Sequence, residues 1–430
     1  MMNSKSITAF VIIGFVAFFI FSPFAKADDQ NETDRLFTLP QVEVHGFYEL
    51  RAGYRTRKDK YQKDISIMEN RLQLDLASYL DWADLKCKAD IIGDLVTEQA
   101  DFDLREAYLF TMPVGFMDVK IGRQILTWGT GDLIFINDLF PKDWQSFFIG
   151  RDPEYLKAPS DAVKISAFSK AFNLDIVYTP RFDHDRFISG RRISYFNSNL
   201  NRLAGRDAIQ HTDKPNSWFR DDEIAIRLYK NISGYELAFY GYRGYWKSPA
   251  GQTQNATQAI FPDLNVYGAS IRGNLAKGIA NLEFGYYESD DDHSGKDGNI
   301  FNSELRFLAG YTQEIAKDFT ASVQYYLERM LDYSQHKDSS PFGLARDENR
   351  QLLTLRLTKL LMNQNLRCSL FTYFSPSDKD AYFRPNINYK VTDDLAVELG
   401  ANIFFGDYNN TFFGQFQNNS NIYTAFRYSF

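Results

Sequence analysis

Charged residues at every second position are the features of this sequence that could do chemistry. The segments that carry them place polar side chains on one face and apolar side chains on the other. The basic residues that this alternation assigns to an interior face are Arg51, Arg71, Lys86, Lys88, Lys120, Arg227, Arg272, Arg306 and Arg356. Rings of Arg or Lys around an aqueous passage select anions. Because Glu49, Glu69 and Asp75 share this face, the bases could instead form salt bridges that stiffen the wall.

A long segment, residues 125–160, combines aromatic and charged side chains. A loop in solvent would not usually expose as many large rings as this segment contains, among them Trp128, Trp144 and Phe148. We therefore predict that the segment folds inward and narrows a passage. The charged residues predicted at this constriction are Asp132, Asp138, Asp143, Arg151, Asp152, Glu154 and Lys157. The alternatives are a cap over the passage and an oligomer contact.

Catalytic and metal-binding patterns are weak. The chain has five His and two Cys, and it contains no His-x-x-His, Gly-x-Ser-x-Gly or phosphate-loop motif. His184, between Asp183 and Asp185, is the one candidate for a hydrolytic site, and adjacent residues on one loop are poor evidence for a triad. The acidic run at residues 290–292 lacks the final glutamate of a calcium loop. We predict no enzymatic activity, no cofactor and no metal site.

The alternation also predicts the elements that hold these residues. In the first segment Val42, Val44 and Tyr48 share one face, and Glu49 and Arg51 share the other. This pattern continues to the last residue, interrupted by eight short connections and nine long ones, of which residues 95–102 and 375–380 form two. Strands in hydrocarbon must pair every backbone group, so their sheet must close. The predicted fold is all-β, a transmembrane antiparallel barrel of about 18 strands with short periplasmic turns and long outer loops.

The beginning of the chain indicates export. Lys5 precedes an apolar stretch, and the small residues Ala25 and Ala27 mark a cleavage site, as in a Sec signal peptide. We predict a signal peptide at 1–27, a short periplasmic segment at 28–40, and a barrel at 41–430 whose third outer loop, 125–160, folds inward. The formal net charge of −7 argues against a nucleic-acid partner. The predicted location is the outer membrane of a Gram-negative bacterium.

Three short stretches resemble features of known barrels. Phe426, Tyr428 and Phe430 alternate to the last residue, which resembles the C-terminal signature recognised by the barrel assembly machinery. The stretch LREAYL at residues 104–109, and GRQ at residues 122–124 followed by Trp128, resemble proteobacterial porin-like barrels of the alginate-export type. That resemblance implies a barrel of about this strand count that passes solutes, often anionic or oligomeric.

The predicted function is that of a porin through which small hydrophilic, possibly anionic, solutes diffuse without a covalent step. The alternative is a specialised exporter or sheath for a polysaccharide or an electron-transfer partner, and a less favoured one is a hydrolase at the barrel rim. Outer-membrane lipid and lipopolysaccharide are the expected surroundings, and the barrel could form a homo-oligomer. Among the arginines of residues 181–220, five could meet lipopolysaccharide phosphates, namely Arg186, Arg191, Arg192, Arg202 and Arg206. The alternative is a solvated loop.

Overall fold

A single antiparallel sheet of eighteen strands dominates the computed structural model, which describes residues 42–339 and 346–430. The strands are β1 (Val42–Arg55), β2 (Ile65–Tyr79), β3 (Asp84–Asp94), β4 (Gln99–Val114), β5 (Met117–Ile125), β6 (Pro159–Phe168), β7 (Asn173–Thr179), β8 (Glu223–Ile232), β9 (Tyr235–Tyr245), β10 (Asp263–Leu275), β11 (Gly278–Ser289), β12 (Glu304–Ala316), β13 (Phe319–Met330), β14 (Asn349–Leu361), β15 (Leu366–Ser375), β16 (Asp380–Lys390), β17 (Leu395–Gly406) and β18 (Asn421–Ser429). The predicted signal peptide and the segment 28–40 lie outside the described residues.

The sheet closes on itself. Each strand pairs with its neighbours in sequence, and β1 pairs with β18 from Phe47 opposite Ser429 to Arg55 opposite Asn421. Gly46 and Phe430 extend this seam by exchanging two backbone hydrogen bonds of 3.0 Å. A closed barrel leaves no strand edge with unpaired N–H and C=O groups. The predicted eighteen-stranded antiparallel barrel is confirmed.

The two faces of the barrel differ as the alternation predicts. Large apolar side chains are exposed on the outer face, for example Val44 at 52%, Phe239 at 60% and Tyr267 at 56%. Charged side chains such as Arg51 on β1 and Glu283 on β11 point the other way and are buried. Side chains alternate along a strand, and the pairing register keeps like residues on one face, so the apolar band surrounds the whole barrel.

Eight tight turns connect the strands at one end of the barrel, and the predicted short connections are all found there. Two predicted long connections, 95–102 and 375–380, were wrong, because each is a turn of four residues: β3 ends at Asp94 and β4 begins at Gln99, and β15 ends at Ser375 and β16 begins at Asp380. The Asp94 carboxylate accepts hydrogen bonds from the backbone N–H groups of Val96 and Thr97 and from the Thr97 hydroxyl. This side-chain-stabilised turn lets the two strands pair almost to their ends.

The long connections carry the remaining elements. They include the helices α1 (Trp144–Ile149) and α2 (Tyr333–Ser339), two 3-10 turns at Pro153–Leu156 and Gly414–Asn419, and a small hairpin of Tyr195–Asn197 with Arg202–Ala204. Within residues 42–339 and 346–430, no helix has the length and apolar character needed to cross a membrane.

The seam between β1 and β18 generates a prediction about stability. A Cβ atom at Gly46 would lie 2.2 Å from the Gln73 carbonyl oxygen and 2.8 Å from the Phe430 ring. Gly46→Val should therefore lower the unfolding temperature, by overpacking worth about 1–3 kcal/mol. Loss of the heat-modifiable gel mobility measures the unfolding.

The control is Gly115→Val in a tight turn, where a Cβ atom would meet nothing within 4 Å. Equal unfolding temperatures for the two variants would contradict the described seam.

Candidate functional site

The connection between β5 and β6, residues 126–158, folds locally around α1. Asp143 begins this helix by accepting a hydrogen bond from the Ser146 backbone N–H at 2.7 Å. Gly150 ends it with a φ of +90°, where a Cβ atom would lie 2.4 Å from the Tyr423 ring. Glycine is needed here because the backbone is left-handed and the strand wall is close. We call residues 126–158 the inner segment.

Charged side chains of β1 and β2 bind one part of the inner segment. The Gly150 carbonyl accepts a hydrogen bond of 2.6 Å from Arg51. Arg151 binds Glu69 through two hydrogen bonds of 2.6 and 2.9 Å. Arg51 also pairs with Glu398 at 2.8 Å, which connects this contact to β17. Because Arg51, Glu69 and Glu398 are buried and Arg151 is largely so, each charge depends on its partner.

Side chains of β11, β13 and β14 bind another part of the inner segment. The Glu283 carboxylate accepts hydrogen bonds from the backbone N–H groups of Thr130 and Gly131, the latter at 2.7 Å. Asp132 forms a bidentate ion pair with Arg356 at 2.5 and 2.7 Å. The Gln324 side chain accepts from the Asp132 N–H and donates to its carbonyl, at 2.7 and 2.8 Å. The inner segment therefore contacts strands well separated around the barrel.

Aromatic rings fill the space between α1 and β16–β17. Phe148 packs against Tyr382, Phe404 and Phe416, with ring centroids 5.6, 5.6 and 4.8 Å apart. Phe147 packs against Tyr382 at 5.8 Å, and both phenylalanines are 2% exposed. The Phe148–Phe416 rings are tilted and the other pairs are edge-to-face, and such ring contacts add to the free energy gained by removing the rings from water. The aromatic side chains of the inner segment therefore attach it to the barrel wall.

A second connection, residues 180–222, reaches into the same region. Arg186 binds Asp103 through two hydrogen bonds of 2.7 and 2.8 Å, and its guanidinium lies 3.4 Å from Asp143. Arg192 is 4% exposed and pairs with Asp94 and, at 3.3 Å, with Glu69. These two arginines bind carboxylates of the barrel and the inner segment.

Among the described residues, the other three arginines of the predicted lipopolysaccharide-binding set do not bind carboxylates of the barrel or the inner segment. Arg202 pairs with Asp207 at 2.9 Å, and Arg206 donates to the Val96 carbonyl at 2.9 Å. Arg191 is exposed.

The seven charged residues predicted at the constriction divide into two groups. Three hold the inner segment: Asp138 pairs with Lys142 at 2.9 Å, Asp143 caps α1, and Arg151 binds Glu69. Four have partly exposed side chains, which are Asp132, Asp152, Glu154 and Lys157.

Two carboxylates of the exposed group lie near one arginine. Asp152 lies 3.4 Å and Glu154 4.0 Å from the guanidinium of Arg427. Partial removal from water, together with the charge of Asp152, raises the pKa of Glu154.

Most of the predicted interior bases form ion pairs, six of them within the wall and one with the inner segment. Seven of them have a carboxylate partner: Arg51 with Glu49 and Glu398, Arg71 with Asp90, Lys86 and Lys88 with Asp75, Arg227 with Glu236, Arg306 with Glu304, and Arg356 with Asp132. In the described part of the chain Lys120 and Arg272 have no such partner. Cross-strand pairing, one of the two interpretations of this face, therefore applies to most of these bases.

Two lysines face each other directly across β5 and β6. Lys120 is in register with Lys164, and neither side chain is fully buried. The Lys120 ammonium lies 3.6 Å from the centre of the Tyr108 ring, and the Lys164 ammonium lies 3.8 Å from Asp175. Like charges opposite each other destabilise a sheet. Asp175 partly offsets the charge of Lys164, so Lys120 is the ammonium of this pair without a carboxylate partner in the described residues.

A stack of arginine and tyrosine side chains is a feature that the sequence analysis missed. The Tyr155 ring lies between the guanidinium groups of Arg71 and Arg105, whose carbons are 4.1 and 4.6 Å from its centre. All three side chains are buried. They come from β2, β4 and the inner segment, and no local pattern in the sequence links positions so far apart. The stack fixes the inner segment against the wall through cation–π contacts.

The candidate for a hydrolytic site lacks the expected neighbours. His184 packs on Phe261, with ring centroids 5.3 Å apart, and its Nδ1 lies 2.6 Å from the Asp185 carbonyl oxygen. Burial lowers the pKa of the imidazole. Asp292, in the acidic run, accepts hydrogen bonds from the backbone of Ser294 and Asp297, which shapes its own turn. Among the described residues, no three His, Cys, Asp or Glu side chains are grouped as metal ligands.

Comparisons with known proteins extend the description of the fold. No family model matches the sequence, and no curated protein matches it. Three similar crystal structures are OccAB3 and OccAB4 of Acinetobacter baumannii and OccK3 (OpdO) of Pseudomonas aeruginosa. Their TM-scores are 0.54, 0.55 and 0.55, at identities of 12%, 11% and 11%. The alignments cover 90%, 91% and 90% of this chain and 99%, 98% and 96% of theirs, so the likeness is one of the whole barrel fold.

The contacts around Glu69 generate a prediction about the inner segment. Its carboxylate lies 2.6 Å from Arg151, 3.3 Å from Arg192 and 3.5 Å from Arg71. Glu69→Gln should destabilise the docked segment by up to about 3–5 kcal/mol, because it removes the carboxylate that binds Arg151 and leaves that guanidinium only Asp143, 4.0 Å away. Limited proteolysis should then cleave within residues 126–158 at protease concentrations that leave the parent protein intact.

The matched control is Glu236→Gln, which breaks the pair with Arg227. The Glu236 side chain is 40% exposed, so this loss should cost no more than about 1 kcal/mol. Equal protection of the inner segment in both variants would show that Glu69 does not hold it.

Proposed function

We propose that this protein is an outer-membrane porin, through which small hydrophilic solutes diffuse down their gradients. The observation that carries the proposal is the closed barrel with an exposed apolar outer face and charged side chains within. An apolar belt of this kind is stable in hydrocarbon, and a polar interior admits water. Eighteen strands enclose enough space for a passage beside a folded-in loop. Diffusion through such a passage requires no covalent step.

The inner segment is the proposed constriction. Its contacts with Glu69 on β2, Glu283 on β11 and Arg356 on β14 support a course through the interior rather than over the mouth. Asp132, Asp152, Glu154 and Lys157 are the charged residues of the predicted constriction that would meet a passing solute. Asp138, Asp143 and Arg151 would act indirectly, by keeping the segment in position.

A preference for anions follows from the distribution of free and paired bases. Lys120 and Lys164 stand opposite each other, whereas carboxylates neutralise most of the remaining interior bases. The Lys120 ammonium has no carboxylate partner in the described part of the chain, so this part of the wall attracts anions and repels cations. In this proposal the selectivity arises near Lys120 and Lys164, which lie on β5 and β6, the two strands that the inner segment connects.

The runner-up is a specialised exporter or sheath. The resemblance to alginate-export-type barrels keeps a polysaccharide as a candidate cargo, whereas a bulky chain or an electron-transfer partner would need a wide lumen. The many contacts between the inner segment and the wall favour small solutes. A hydrolase at the rim receives less support, because His184 contacts aromatic rings and a backbone carbonyl.

Export and assembly complete the proposal. A signal peptide at 1–27 would direct the chain across the inner membrane, and the alternation ending at Phe430 would present it to the barrel assembly machinery. In the bilayer the apolar belt would contact lipid. Exposed Arg191 is the residue of the loop arginine set best placed to meet lipopolysaccharide phosphates. A homo-oligomer is compatible with this arrangement.

Ion selectivity tests the proposed function. In planar bilayers under a KCl gradient the protein should conduct, with a reversal potential on the anion-selective side. Lys120→Glu should reduce the anion-to-cation permeability ratio by about fivefold, since two charges about 4 Å apart in water interact by about 1 kcal/mol.

The control is Lys277→Glu, the same change of charge in an exposed turn between β10 and β11. A protein that never conducts would refute the porin. If the protein conducts but Lys120→Glu leaves the reversal potential unchanged, Lys120 is not the origin of the ion selectivity.

A further inference from the structure

A polar cavity of about 290 Å³ lies between residues 130–132 of the inner segment and the inward face of β10–β14. Its volume is close to the lower end, about 300 Å³, of pockets that hold small molecules. Ile279, Thr312 and Thr320 line it near the tight-turn ends of their strands. The cavity therefore lies in the half of the barrel that the tight turns close.

The cavity contains one arginine without a carboxylate partner in the described part of the chain. Glu236 is in register with Arg272 across β9 and β10, but its carboxylate binds Arg227 at 2.6 Å. The other cavity arginine, Arg356, is neutralised by Asp132. Arg272 is exposed, so its five N–H donors face water. An oxyanion could bind this guanidinium without displacing a protein carboxylate.

Neutral hydroxyl groups and one apolar side chain make up much of the remaining lining. Thr130, Thr312, Thr320 and Ser322 supply hydroxyls that can both donate and accept hydrogen bonds. Ile279 belongs to the inward face and is nevertheless 39% exposed. A molecule with several hydroxyls and a C–H face would satisfy both kinds of lining, whereas a simple inorganic anion would use only Arg272.

We infer that this cavity binds a small polyhydroxylated anion, with its carboxylate or phosphate on Arg272 and its hydroxyls on the threonine and serine side chains. The inference rests on the proposed function, because it names the class of solute that would pause in the passage. Gln324 is committed to the backbone of Asp132, and Asn281 donates to Thr130, so these amides shape the cavity. A binding site beneath the constriction would concentrate such solutes next to it.

Block of ion current tests the inference. Gluconate, glucose 6-phosphate, glucose and acetate are added in turn to the tight-turn side of the reconstituted protein in KCl. At least one of the two polyhydroxylated anions should halve the current at a concentration about tenfold below those of glucose and acetate. Arg272→Gln should raise that concentration about tenfold, the usual size of a lost charged hydrogen bond.

Arg367→Gln is the matched control, because Arg367 is also exposed on the inward face of its strand but does not line the cavity. Thr320→Val should weaken block by the polyhydroxylated anion and leave acetate unchanged. Block by gluconate, by glucose 6-phosphate or by both identifies the preferred oxyanion. Equal potency of all four solutes, or no effect of Arg272→Gln, would overturn the inference while ion conduction persists. A protein without any conductance would refute the porin instead.

Discussion

A charge inside a crowded barrel must have a partner, because removal from water costs several kcal/mol per ion. Glu69 shows how far this constraint reaches. Its carboxylate is 3% exposed and is approached by Arg71 on its own strand, by Arg151 of the inner segment and by Arg192 of the connection 180–222. One buried anion thus fixes the relative position of three parts of the chain.

The same constraint separates the charges that build the interior from those left to act on solutes. Arg51 and Arg192 are buried, Arg151 is largely buried, and all three are paired, so they hold the barrel and its connections together. Lys120 and Arg272 retain contact with water and have no ion pair in the described part of the chain. A selective passage needs both paired and unpaired charges. If every charged side chain were unpaired, like charges on the wall would repel one another, and if every one were paired, the wall would distinguish weakly between anions and cations.

The fold could be predicted almost completely from the sequence, because a period of two is a local property that any strand between lipid and water must show. One of the two wrong connections, 95–102, arose because Asp94 stabilises a turn within a stretch that looks like a loop. The site was harder to predict, because the partners of a buried charge come from distant positions. Arg192 looked like a solvent-exposed loop residue, and the stacking of Tyr155 between Arg71 and Arg105 leaves no sequence pattern.

The central claim is that the inner segment, held by these buried charges, limits flow through the barrel. Ile125 and Pro159 are directly opposite each other in β5 and β6, so a short Gly-Ser linker can replace residues 127–157 and still close the hairpin. The single-channel conductance of this deletion, measured on protein that keeps its heat-modifiable mobility, is the most direct test. Removal of the constriction should raise conductance severalfold, whereas a conductance equal to that of the intact protein would contradict the account.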